Sequence, residues 1–309
     1  RAGEKEFSQA VQQHLRGQRG IVLSTIAMPG ITHYQPHMGL QRRGFFASRS
    51  SCDSLLARSL HGLGAQFNFK RRWLMQAQER LLTRDSSTQV MVFSQLVRSQ
   101  ILEDYPVRPE NITTVPLGVD LKRFQPDENK SQRADKLQLL FTGHNFRLKG
   151  LHCLFTALQH AHKKGLKAEL KIVGNGPRAA FETIAARLGL GDHVHFLGLV
   201  GDLEVAALYR ASDALVHPTF SDHCSFVVLE ALASGLPVVT TRQNGAAEFI
   251  EHRKQGLVIS HPRDTVALAD ALLRLQDHRQ LAAMSAAAAA LRPHLDFNQH
   301  ARQVLAWLT

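Results

Sequence analysis

The sequence predicts an α/β protein of two domains, with a doubly wound parallel sheet in the second. Two observations predict it. From Leu137 onward, short runs of branched and aliphatic residues alternate with amphipathic helical patterns, the sequence form of strands joined by helical crossovers. Before that, residues 125–132 are polar, contain Pro126 and lack an apolar period, which reads as an interdomain linker. The boundary is expected near residue 134, giving domains 1–134 and 135–309.

In the second domain, residues 137–141, 170–173, 194–197, 214–217, 237–240 and 257–260 read as strands. Helical patterns fill 151–163, 178–188, 202–209, 226–234 and 246–252. The alanine run 286–290 belongs to a plain terminal helix, since alanine has the best helix propensity. In the first domain only 21–24 and 89–94 read as strands and 73–82 as a helix. That is too little for a complete parallel-sheet domain, so the first domain is expected to be incomplete at its N-terminus.

Composition sets the class. Hydrophobic residues make up 44% of the 309 and charged residues 20%, which is ordinary for a globular protein. No apolar run reaches the roughly 18 residues a membrane span needs. Cys52, Cys153 and Cys224 are odd in number and widely spaced, against a disulfide framework; a cytoplasmic setting is expected. The net charge of +11 is uneven. Residues 1–134 hold 19 Lys and Arg against 11 Asp and Glu, whereas 135–309 hold 18 against 15. Lys70, Arg71, Arg72 and Trp73, and Arg42 and Arg43 with Phe45 and Phe46, are the local basic clusters. They read as a solvated helix face or as a contact for the inner face of an anionic cytoplasmic membrane. No nucleic-acid motif accompanies them.

The chemistry concentrates after residue 141. A buried strand ends at His217, a polar loop carries Asp222, an apolar helix carries Glu230, and Gly235-Leu236-Pro237 opens the next strand. Ligands of open parallel sheets bind beyond the carboxyl ends of the strands, so Asp222 and Glu230 are candidates to face one ligand. Carboxylates at such a place accept hydrogen bonds from sugar or ribose hydroxyls. Asp222 could instead be a helix N-cap, while Glu230 in its apolar helix needs a partner. Arg147 and Lys149 lie between a strand and a helix and can meet a diphosphate leaving group. Two glycine loops, Gly174-Asn175-Gly176 and Asn244-Gly245-Ala246, each follow a strand and open a helix, where amide groups can meet phosphate. His217, His223 and Cys224 lack zinc-type spacing, so no metal is expected.

The stretch from His217 to Val239, with Gly245-Ala246-Ala247-Glu248, resembles the donor site of family 4 retaining glycosyltransferases (glycosyl transferases group 1). Residues 141–150 and Met28-Pro29-Gly30 are most similar to the lipopolysaccharide-core glucosyltransferase-like branch. The resemblance covers residues 112–309 and only weakly the earlier part. It implies a GT-B fold, two Rossmann-like domains with a cleft between them, and a hexosyltransferase using a nucleotide diphosphate sugar and no cofactor. It implies donor phosphate contacts for Arg147 and Lys149, transferred-sugar contact for Asp222 where the family more often has Glu, and ribose contact for Glu230. Gly174, Asn175, Ser225, Phe226, Asn244, Gly245 and Glu248 complete the implied donor site, and His37 is the amino-domain histidine near the sugar. The implied acceptor is a carbohydrate or glycolipid. A noncatalytic nucleotide-sugar or glycan-binding protein, and a sugar-nucleotide epimerase of the same fold, stay open as alternatives.

Overall fold

The structure, a computed structural model, describes residues 4–15, 20–37, 39–52, 54, 56–59, 68–127 and 136–309. The chain forms two compact units, Arg1–Pro116 with Arg302–Thr309, and Leu117–Ala301.

The first unit contains α1 (Glu4–Leu15), β1 (Leu23–Ser24), β2 (His33–Tyr34), α2 (Gln41–Ser50), α3 (Phe69–Leu81), β3 (Gln89–Val92), α4 (Gln95–Asp104) and β4 (Ile112–Thr114). Its strands form a parallel sheet in the order β1-β2-β3-β4. Tyr34, Leu40, Leu82, Val90, Val92 and Ile101 are among its buried core. Two elements differ from expectation because caps decide where helices start. The Ser94 side chain accepts from the Val97 amide and opens α4, so β3 ends at Val92 rather than at 94. Asn68 accepts from the Arg71 amide and opens α3 before Trp73.

The second unit contains β5 (Leu137–Thr142), α5 (Leu151–Lys163), β6 (Ala168–Val173), α6 (Arg178–Arg187), β7 (Val194–Gly198), α7 (Asp202–Ala211), β8 (Ala214–His217), α8 (Phe226–Ala233), β9 (Val238–Thr241), β10 (Gly256–Ile259), α9 (Thr265–Arg274) and α10 (His278–Ala289). A last helix, α11 (Phe297–Leu308), begins in this unit and ends in the first. The strands pair in parallel in the order β10-β9-β8-β5-β6-β7. β8 and β9 are buried at every position, as strands covered on both faces must be. Leu139, Phe141, Leu154, Phe155, Leu170 and Val216 centre the core.

The boundary expected near residue 134 lies outside the described residues; the two compact units meet in the chain after Pro116. Segment 117–127 is held to the second unit by hydrogen bonds that no local pattern announces. The Arg292 guanidinium donates to the carbonyls of Leu121 (2.9 Å), Phe124 (2.5 Å) and Ala233. The helix expected over 246–252 is a short 3-10 turn, Gly245–Phe249, capped by Asn244, which accepts from the Ala246 amide at 3.0 Å.

Candidate functional site

The order of the six-stranded sheet reverses direction at β5. The chain runs outward from β5 through β6 to β7, then returns to place β8 on the other side of β5. Neighbouring loops diverge at such a point and leave a crevice beyond the strand ends. The turn after β5 carries Arg147 and Lys149, and the loop after β8 carries Asp222.

The two loops are tied together by their backbones. Leu148 O accepts from the Phe220 amide at 2.9 Å and from the Thr219 hydroxyl at 3.3 Å. Gly150 has φ +78°, and a Cβ there would lie 2.0 Å from Pro218 O. The loop after β6 closes in likewise, since a Cβ on Gly174, at φ +136°, would sit 1.9 Å from Gly143 O. Both glycines are required by close backbone approach.

On this frame Lys149 Nζ donates to Asp222 Oδ2 at 2.5 Å. His217, buried at the end of β8, places Nε2 3.5 Å from the same oxygen and 3.4 Å from Ser225 Oγ. Its ring stacks on Phe141, with centroids 6.0 Å apart. Burial would lift the Asp222 carboxyl, but the Lys149 charge and the His217 contact outweigh it and hold the group well below its ordinary range. Burial pushes His217 the opposite way, below its ordinary value and so toward the neutral imidazole, although Asp222 favours the charged form. The result is a carboxylate that stays ionised beside one committed ammonium.

Ser225 turns its hydroxyl to His217 and leaves the first turn of α8 without a side-chain cap. Its amide donates to Asn244 Oδ1 at 3.3 Å. Asn244 is buried and structural, bonded also to Thr240 Oγ1 at 3.1 Å. The Gly245, Ala246 and Ala247 amides donate to Asp222 O, Asn244 Oδ1 and Asn244 O. This corrects the expectation that the loop offers free amide groups to a phosphate. Its work is to fasten the Asp222 loop. Of the other residues named from sequence, Arg147, Asn175, Phe226 and Glu248 are exposed. His37 is exposed in the first unit.

Glu230 occupies a separate setting. Half-buried on α8, it accepts from the Tyr209 hydroxyl at 2.9 Å. Burial raises its carboxyl above the ordinary value against the pull of Tyr209 and of Arg123. Arg123 is itself 3.0 Å from Asp202 at the start of α7. The structure therefore joins Lys149 and Asp222 directly but gives Glu230 its own partners. Sequence reasoning missed His217 and Tyr209. The available signal for Tyr209 was the requirement that Glu230 find a partner, and for His217 its position at the end of a buried strand. Cys224, buried in the same loop, has its thiol pushed up to about 12 by burial and by Asp222, so it is an inert packing group.

The two carboxylates give stability opposite dependences on pH. Asp222 has a lowered folded pKa, so its stabilisation is present above the ordinary aspartate value and is lost as pH falls below it. Glu230 has a raised one, so its cost is present at neutral pH and disappears as pH falls through the folded value. In urea unfolding between pH 7 and pH 3, the advantage of wild type over Asp222→Asn should shrink by roughly 1 kcal/mol. The difference between wild type and Glu230→Gln should move in wild type's favour over the same interval. Difference curves of the same sign for both variants would contradict these assignments.

A parallel α/β unit with fixed cationic and anionic side chains at its switch point defines, together with the parallel sheet of the first unit, a protein of the GT-B architectural class. Residues 136–278 match the family model described as Glycosyl transferases group 1, so this unit is a member of that family. It is 31% identical over 212 residues to MMP alpha-(1->4)-mannosyltransferase of Mycolicibacterium hassiacum, covering 67% of this chain and 50% of that protein. It is 30% identical over 188 residues to lipopolysaccharide glucosyltransferase WaaG of Escherichia coli, covering 57% and 50%. The chain thus spans about half the length of these curated relatives. Its fold is that of the WaaG crystal structure, at TM-score 0.79 and 23% identity, over 99% of this chain and 82% of that one. It also matches Anabaena Alr3699/HepE solved with UDP-glucose, at TM-score 0.69 and 20% identity, over 89% and 71%.

Proposed function

We propose that the chain is a retaining glycosyltransferase that moves a hexose from a nucleotide diphosphate sugar to a hydroxyl of a carbohydrate or lipid-linked oligosaccharide. The observation that carries this reading is the Lys149, Asp222 and His217 cluster at the switch point of a group 1 unit. Lys149 supplies positive charge that is in place before the bond to the sugar breaks, which is what a departing diphosphate requires. Asp222 holds the ammonium until the donor arrives and then accepts from sugar hydroxyls. The uncapped start of α8 offers amides and a dipole to the same anion. Glu230, oriented by Tyr209, receives the ribose hydroxyls. UDP is the probe of choice, because a protein of this fold was solved with UDP-glucose. The departing phosphate helps take the acceptor proton, and the product keeps the anomeric configuration of the donor.

The test is a screen of sugar nucleotides with carbohydrate acceptors, read by mass spectrometry for released nucleoside diphosphate and by NMR for product configuration. Donor binding with no release from any sugar nucleotide would instead identify a binding protein.

The first unit supports contact with an anionic membrane surface, such as the inner face of the cytoplasmic membrane in a pathway like lipopolysaccharide synthesis. Among the described residues no helix is long and apolar enough to cross a membrane. α2 and α3 pack together and present Phe46 and Phe69, 50% and 77% exposed, beside Arg42 and Arg72. Arg43 does not contribute charge there, because it is paired with Glu103 and Asp104. Amphipathic faces of this kind bind anionic lipid through both terms. Co-sedimentation with phosphatidylglycerol vesicles is expected to exceed that with phosphatidylcholine by about tenfold, and Phe46→Ser with Phe69→Ser is expected to remove most of it. Equal binding to both lipids would contradict it.

A further inference from the structure

One buried titratable group at the switch point has no assigned role in the transfer. His217 is 1% exposed at the end of β8. Its Nε2 lies 3.5 Å from Asp222 Oδ2, the same oxygen that accepts from Lys149. Ser225 Oγ is 3.4 Å from that nitrogen. The strands beside the ring bring no charge to it, since Phe141 of β5 stacks on it and Thr240 of β9 donates its hydroxyl to the His217 carbonyl. The Cys224 thiol in the same loop stays protonated. Among the described residues the charges acting on the ring are those of Lys149 and Asp222.

One carboxylate oxygen thus faces two groups that can each bring it a positive charge. A buried carboxylate supports one nearby cation far better than two. While Lys149 fills that place the ring is held neutral, because burial and then the Lys149 charge keep it below its ordinary value against the pull of Asp222. In the tautomer protonated at Nδ1, Nε2 accepts from the Ser225 hydroxyl, whose hydrogen rotates to suit.

Donor binding upsets this balance. Once Lys149 turns to the diphosphate, Asp222, with its side chain 15% exposed, keeps its negative charge beside added phosphate charge and without its ammonium. A buried carboxylate left unpaired is costly. The group already placed to replace the cation on the same oxygen is the His217 ring. Histidine is the side chain suited to this exchange, because its ordinary pKa lets a change of neighbour move it between neutral and charged near neutral pH.

We propose that His217 is a positioning residue that takes up one proton from solvent at Nε2 when the donor binds, and that the imidazolium then holds Asp222 Oδ2 in the place Lys149 has left. Asp222 thereby stays ionised and fixed while it accepts from the sugar hydroxyls. The inference rests on the donor reading for what draws Lys149 away, whereas the exchange of cations on one oxygen stands on the geometry. The bound state raises the pKa of the ring, so the contribution of the proton to binding is present at low pH and is lost as pH rises through the bound value. UDP-glucose is the probe, because its diphosphate has no proton to lose near neutrality. Calorimetric titration at pH 6.5 in two buffers of different ionisation enthalpy should show roughly half to one proton taken up per UDP-glucose bound. Affinity should fall about tenfold from pH 6 to pH 8. His217→Gln and Asp222→Asn should each bind with almost no uptake, which a merely structural role for the ring would not produce. In ¹⁵N-histidine-labelled wild type, with His217→Gln assigning the signal, the ring should pass from neutral to doubly protonated as UDP-glucose is added. With no ligand present, Lys149→Ala should move the titration of His217 upward by about one pH unit. A ring that titrates alike in wild type and Lys149→Ala, a ring that stays neutral in the bound protein, or uptake undiminished in His217→Gln would overturn the proposal. UDP-glucose that does not bind, with the Lys149→Ala shift intact, would count against the donor reading and overturn the trigger, while the exchange of cations at Asp222 would stand.

Discussion

Replacing Lys149 with alanine is expected to lower nucleoside diphosphate release about a hundred- to thousandfold, the range for removing one preorganised electrostatic contact to a transition state. The loss should fall mainly on kcat, because charge on the diphosphate grows as the bond to the sugar breaks. Removing Lys149 also leaves Asp222, only 15% exposed at its side chain, without its cation. That should cost about 1–3 kcal/mol of stability, less than for a fully buried pair. The second substitution Asp222→Asn removes the orphaned charge, so Lys149→Ala with Asp222→Asn should recover much of the stability and none of the turnover. Turnover at the wild-type rate in Lys149→Ala, with UDP release as the readout, would contradict the assignment.

Gly150→Ala is expected to be as damaging by a different route. The position has φ +78°, and the new methyl carbon would fall 2.0 Å from the Pro218 carbonyl oxygen. Left-handed backbone costs alanine about 1–2 kcal/mol, and the collision adds displacement of the loop after β8, for about 3 kcal/mol or more in all. The Phe220–Leu148 hydrogen bond and the Lys149–Asp222 contact lie in the displaced region. Thermal unfolding should show the loss directly, and UDP binding should weaken with it. An unchanged melting temperature with normal UDP affinity would mean that these loops are not packed as described.

The sequence made the second sheet legible because its strands are short apolar runs of four to six residues separated by helices with a clear period. The first sheet was legible only in part: the strands read at 21–24 and 89–94 contain β1 and β3, whereas β2 and β4, of two and three residues, are too short for any alternation to register. The division after Pro116 was hidden because Arg292, far along the chain, gathers segment 117–127 onto the second unit through backbone carbonyls, and carbonyls have no sequence signature. The site shows the same split. Lys149 and Asp222 could be singled out from their loops, but their contact spans 73 positions and follows from sheet order rather than from local pattern. His217 was set aside as a metal ligand because the spacing does not suit one, and no local pattern told that its ring lies against Phe141 and turns toward Asp222 and Ser225. Asn244 and Gly245 stood out as a phosphate loop, yet their polar groups are spent on fastening the Asp222 loop.

A crystal structure of the protein with UDP tests the central assignment most directly. The account predicts the diphosphate beyond the carboxyl ends of β5 and β8, with Lys149 Nζ moved from Asp222 into hydrogen-bond distance of a phosphate oxygen and the ribose at Glu230. Diphosphate bound elsewhere on the chain, with the Lys149–Asp222 contact unchanged, would contradict it.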